Sequence, residues 1–130
     1  MSFVEIIKQI NYLDLKFIYD PNSLLLVNAM FKPLSNQTEG TVIKAGTVLG
    51  KVTADNTVNV YDNSANDGRQ VAFGVLMYDV KIKPGTVQEI PVAIRGVFVK
   101  EHLIGYDADA KTDLNAREIK IDNNKTLVVI

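Results

Sequence analysis

Apolar residues recur at helical intervals at the start of the chain. Phe3, Ile6, Ile7, Ile10 and Leu13 would share one stripe, while Glu5, Lys8, Gln9 and Asn11 would face water. Ser2 and Glu5 stand at capping-box spacing ahead of it. The pattern predicts a short amphipathic helix over residues 3–12. The period then falls to two. Leu15, Phe17 and Tyr19 predict a strand, and Asp20-Pro21-Asn22 predicts a turn. Ser23 to Phe31 predicts a second strand, which Pro33 interrupts. The polar run Ser35 to Gly40 reads as a joint between an N-terminal element and a main body.

Beyond Thr41 turn residues recur every eight to twelve positions with short β-branched segments between them, the signature of an all-β barrel or sandwich. Strands are predicted over Thr47 to Val52, around Val58 and Val60, along Val71 to Ile82 with a light break at Gly74, and over Ile90 to Val99. Asp62 to Gly68 is a polar loop, and Pro84-Gly85 turns the chain. In Ile90 to Val99 the apolar phase slips from Val92 and Ile94 to Val97 and Val99, which predicts a β-bulge at Arg95-Gly96. Thr112 to Arg117 predicts one helical turn. Ile119 and Ile121 open a final hairpin across Asp122-Asn123-Asn124, and Leu127 to Ile130 closes the chain as a strand. The expected fold is mostly β: a small barrel or sandwich with a short N-terminal helix and one short helical turn near residues 112–117.

Composition narrows the partners. The chain has 130 residues, one domain's worth, and is 47% hydrophobic, enough for a core without staples. Fourteen basic residues face 15 acidic ones and are scattered, which argues against nucleic-acid binding. With no cysteine, disulfides and thiolate metal sites are impossible. The N-terminus lacks a basic segment followed by a long apolar one, so no secretory leader is expected. No apolar run approaches the ~20 residues of a membrane helix, so no membrane partner is expected either.

Candidate chemistry is sparse. His102 is the one histidine, at the end of a predicted strand, and no Gly-x-Ser-x-Gly motif accompanies it. Asp107, Asp109, Asp113 and Glu118 fall at positions 1, 3, 7 and 12 of an EF-hand-like window. Lys111 and Thr112 spoil that window, and the flanks read as strands. These carboxylates are better read as loop residues, with Asp109 or Thr112 capping the following turn. Asp62 and Asp67 bracket a loop that could hold a cation but more naturally makes turns. No glycine set has phosphate-cradle spacing. The reading is no catalytic residue, no metal site and no cofactor.

The stretch from Val58 to Leu76, with Asp67-Gly68 followed by Ala72-Phe73-Gly74-Val75-Leu76, resembles the lambda-like head decoration (capsid-stabilising) family of bacteriophages. Lys44 to Gly50 is similar to that family's turn into its first core strand. The later strand Val92 to Val99 and the ending Lys125 to Ile130 resemble its close in order and position. The resemblance spans about residues 42–130. It implies a β-clip-like fold, a homotrimer, and attachment at threefold sites on the outside of an expanded icosahedral head, clamping it against DNA pressure. The implied partner is the major capsid protein. The implied location is the virion's outer capsid surface, with assembly in the bacterial host cytoplasm. Such a clamp needs area and many weak contacts rather than a reaction centre, so no enzyme is expected.

Family members of the lambda type begin with a Pro- and Ser-rich arm, where this chain carries the hydrophobic segment Phe3 to Phe31. Residues 1–40 are therefore expected to be a helix and strand arm contacting the shell or a neighbour, and 41–130 the decoration-protein-like core. Met30, Phe31, Lys32, Pro33, Leu34 and Thr41 are expected closest to the shell. Phe3, Ile6, Ile7, Ile10 and Leu13 would be a docking stripe for a subunit or the shell. Alternatives from sequence are another phage structural module (tail, fibre-base or head-fibre) or a small carbohydrate-binding β domain. A β-clip nucleotide hydrolase has only a faint echo in Ile104-Gly105-Tyr106-Asp107.

Overall fold

The computed structural model describes residues 18–115 and 128–129. The expected helix 3–12, the docking stripe, Glu118 and the Ile119–Ile121 half of the last hairpin lie outside them. Eight strands are described: β1 (Ile18–Phe31), β2 (Val42–Ile43), β3 (Val48–Lys51), β4 (Val58–Val60), β5 (Ala72–Leu76), β6 (Val80–Lys81), β7 (Gln88–Phe98) and β8 (Val128–Val129). Among the described residues between β7 and β8 are a 3₁₀ turn, Lys100–His102, and a helix, α1 (Ala108–Asn115).

Five strands close a barrel in the order β1-β4-β3-β5-β7, with β7 returning to β1. Most neighbours are antiparallel. The β1–β4 seam is parallel and consists of one pair, Phe31 opposite Val58. β2 and β6 form a separate two-stranded ribbon. β8 adds to β7 in parallel, with Val97 opposite Val128. The mostly-β class expected from sequence is the fold observed.

Period-two patterning explains the packing. One cluster takes Phe31, Leu49, Val58, Leu76, Ile90 and Val92 from all five barrel strands and adds Val80 and Ile82. Alternate residues on the other face, among them Val48, Val75 and Ala93, join Leu24, Phe98, Leu103 and the helix residues Ala110 and Leu114. Both faces of the central strands are therefore buried, one within the barrel set and one under α1. Gly74 lets β5 approach β7, because a Cβ there would stand 2.6 Å from the Ala93 carbonyl oxygen.

Several boundaries differ from the sequence expectations. Asp20-Pro21-Asn22 does not turn the chain back. β1 runs through it, and the step from Asp20 to Leu25 is matched on β7 only by the step from Val97 to Arg95. Proline cannot donate to a ladder, so the excess residues are taken up as an irregularity. Opposite it, β7 carries its own slip: Leu25 pairs with Arg95 and Leu26 with Ala93, leaving Ile94 over. The bulge expected at Arg95-Gly96 thus falls one residue earlier. The predicted strand Val71 to Ile82 is two strands, separated at Met77–Asp79, where the Asp79 carboxylate accepts from the Ala45 amide at 2.7 Å. The boundary expected at residue 40 falls between β1 and β2, and elements on both sides of it build the fold.

Phe31 is fully buried at the seam. Phe31→Ala should lower the unfolding free energy by about 3–5 kcal/mol, as large aromatic truncations in packed cores do. Chemical denaturation checks this; a loss below about 1 kcal/mol would mean that the seam is not a packed contact.

Candidate functional site

The expected shell-facing residues leave β1 and run to the start of β2. Phe31 turns into the core, so Met30, Lys32, Pro33, Leu34 and Thr41 carry the surface of this ridge. Met30 is 42% exposed, Lys32 and Thr41 are exposed, and Pro33 and Leu34 are half-buried. Hydrogen bonds hold the ridge in place. The Lys32 amide donates to the Val58 carbonyl, and the Lys32 carbonyl accepts from Asn59 Nδ2 at 2.7 Å. Leu34 N donates to Gln37 Oε1 at 2.7 Å, and Gln37 N donates back to the Leu34 carbonyl. Gln37 Nε2 and Asn59 Oδ1 lie 2.8 Å apart, and Asn59 Nδ2 and Gln37 Oε1 2.9 Å, a reciprocal amide pair. Further on, Gly40 N donates to the Ile82 carbonyl and Ile82 N to the Thr41 carbonyl.

A hollow of about 190 Å³ borders the ridge, lined by Lys32, Pro33, Leu34 and Ser35 on one side and Val52, Asp55, Thr57 and Asp67 on the other. It falls short of the roughly 300–1,000 Å³ typical of small-molecule sites. Lys32 Nζ meets Asp55 Oδ2 across it at 3.3 Å, an exposed pair. The hydroxyl and amide of Thr57 hold the Asp55 carboxyl below its ordinary range, with Lys32 adding to that. Beside the ridge, Val42 and Val87 leave 41% and 45% of their surface exposed. Val42 follows Thr41, and Val87 precedes Gln88, which pairs with Phe31. Sequence reasoning missed these two, because alternation marks a strand but not which of its residues lacks cover.

The acidic residues are committed to structure. Asp107 caps α1: its Oδ1 accepts from Ala110 N at 2.7 Å and from the Tyr61 hydroxyl at 2.9 Å. The cap expected at Asp109 or Thr112 is therefore Asp107, and the helix starts earlier than the expected 112–117 turn. Asp109 Oδ2 accepts from Asn63 Nδ2, and Asp113 Oδ2 from the Ala72 amide at 3.0 Å. Together these bonds tie α1 to the loop after β4 and to the start of β5. The Ala110 amide, with help from Tyr61, holds the Asp107 carboxyl below its usual range. Burial, and then Asp107 itself, pushes the Tyr61 phenol up. In the Asp62–Gly68 loop, Asp62 accepts from the amide and hydroxyl of Ser64, and Asp67 from the amide and guanidinium of Arg69.

Among the described residues no group of three or more His, Asp or Glu side chains is placed to hold a metal. His102 is exposed on the 3₁₀ turn. A second hollow, of about 340 Å³, is lined by Lys51, Thr53, Gly68, Gln70, Val71, Ala72 and Phe73. Lys51 is its one ionisable group, and its Nζ lies 4.9 Å from the centre of the Phe73 ring.

A small closed barrel whose described carboxylates fasten loops, and which exposes Met30, Val42 and Val87 along a braced ridge and Val71, Tyr78 and Ile104 elsewhere, has the make-up of a structural part. Residues 36–121 match the family model of bacteriophage lambda head decoration protein D. That match covers well over half of the chain, so the protein belongs to this family of structural capsid proteins. No curated protein matches it. β1 and the front of the ridge lie ahead of the matched residues.

Because the Asp107 pKa is lowered on folding, its stabilising contribution is present above the ordinary carboxylate range and is lost as pH falls through the folded-state value. Asp107→Ala should cost about 1 kcal/mol as a lost helix cap, and Asp107→Asn should flatten the acid limb of the stability–pH curve. Denaturation at pH 7 and at pH 3 measures both. An acid limb in Asp107→Asn as steep as in the parent would rule out this role.

Proposed function

We propose that the protein decorates the outside of an expanded phage head, with the Met30–Thr41 ridge toward the major capsid protein, and stabilises the shell against internal DNA pressure. The family match is the observation that carries this reading. The braced ridge supports it, since a clamp gains from a surface ordered before it binds. Three copies acting at one shell site would add avidity without new contacts, so a homotrimer fits the same task. The N-terminal stripe, Phe3, Ile6, Ile7, Ile10 and Leu13, is apolar in the way a subunit-docking arm requires. The protein works without catalysis, cofactor or metal, on the virion's outer surface, after assembly in the host cytoplasm. Carboxylates engaged with backbone amides are poorly suited to acid–base work, which supports a structural part.

Sedimentation of the protein with expanded and unexpanded heads tests the proposal. Binding to expanded heads alone is expected, together with greater resistance of filled heads to chelator or heat. A charge buried in a contact costs about 2 kcal/mol or more. Leu34→Asp in the full chain should therefore weaken binding more than tenfold. Parent-like affinity of Leu34→Asp and of Met30→Asp would reject the ridge as the contact face.

A further inference from the structure

We infer that Gln37 and Asn59 are positioning residues for shell binding: they hold the Lys32–Gln37 loop in the shape it has when bound. The inference rests on the reading that the ridge faces the shell. Asn59 stands between Val58 and Val60 on a short strand, a poor place for an amide by propensity. It is fully buried. Such a group is costly unless satisfied, and here both donors and both acceptor positions of its side chain are used. The donors go to Lys32 O and Gln37 Oε1, and the acceptor takes Gln37 Nε2 and Val60 N. Two of these four bonds run to Gln37 and one to the loop backbone. Gln37 passes the hold on, because its Oε1 also accepts from Leu34 N.

The barrel strands have their own ladders, so what the amide pair fixes is the loop. Buried polar pairs of this kind specify one arrangement where apolar contacts would accept several. A loop already ordered loses less entropy on binding, and without the pair that cost falls on association.

Gln37→Met keeps length and volume and removes the reciprocal pair. We expect faster hydrogen exchange at the Leu34 amide and about tenfold weaker binding to expanded heads; the melting temperature should fall somewhat, because Asn59 is left buried with a donor unpaired. The double variant Gln37→Met with Asn59→Leu, which leaves no buried side-chain amide unpaired, should bind as weakly as Gln37→Met, whichever of the two melts higher. Unchanged binding despite faster exchange would overturn the inference. So would unchanged exchange, or a loss of binding that only tracks a fall in melting temperature. Leu34→Asp and Met30→Asp separate the two levels: if both bind like the parent, the shell-facing reading fails, whereas weak binding of either beside full binding of Gln37→Met sinks the positioning role alone.

Discussion

Closure of the barrel rests on one parallel pair, Phe31 opposite Val58, at the seam between β1 and β4. β7 holds β1 along the other side. Closing the sheet hides edges that would otherwise invite indiscriminate strand pairing. It also fixes where the chain must emerge. Having placed Phe31 in the core, β1 can only leave at Lys32 beside β4. The surface from Lys32 to Thr41 is thus a direct product of the seam, and Asn59, next to Val58, is in reach to brace it.

The protein's polar chemistry follows the same economy. Asp62 and Asp67 close their own loop through Ser64 and Arg69. Asp107 and Asp113 fasten α1 against β4 and β5 through Tyr61 and the Ala72 amide. In this acidic stretch, with nearly the spacing of a calcium loop, each described carboxylate accepts from protein donors: Asp107 from Ala110 N and Tyr61, Asp113 from Ala72 N, and Asp109 from Asn63 Nδ2, which also reaches Asp107 Oδ2 at 3.5 Å. Rigidity is the result, in keeping with membership of a capsid decoration family.

The β-rich character, the Asp62–Gly68 loop and the slip near Arg95-Gly96 were legible because each rests on local chemistry: alternation, turn residues and a broken phase. The family was legible in the order of such features across about residues 42–130. Neighbour relations were not. Alternation in Ser23 to Phe31 cannot say that this strand closes a barrel, so Phe31 was expected on the surface and lies in the core. Asp20-Pro21-Asn22 has strong turn chemistry, yet pairing with β7 on both sides of it keeps the strand going. Asp107 caps α1 through the Ala110 amide three residues on, but its bond from Tyr61 comes from far away in sequence, and Asn59 owes its role to Gln37 across a loop. Long-range polar pairs leave no periodic trace.

Electron cryomicroscopy of expanded heads saturated with the full chain tests the central claim most directly. The account predicts added density on the outer surface that fits the barrel, with the Lys32–Thr41 ridge against the shell. Heads without such density, or a bound barrel with that ridge facing solvent, would contradict it.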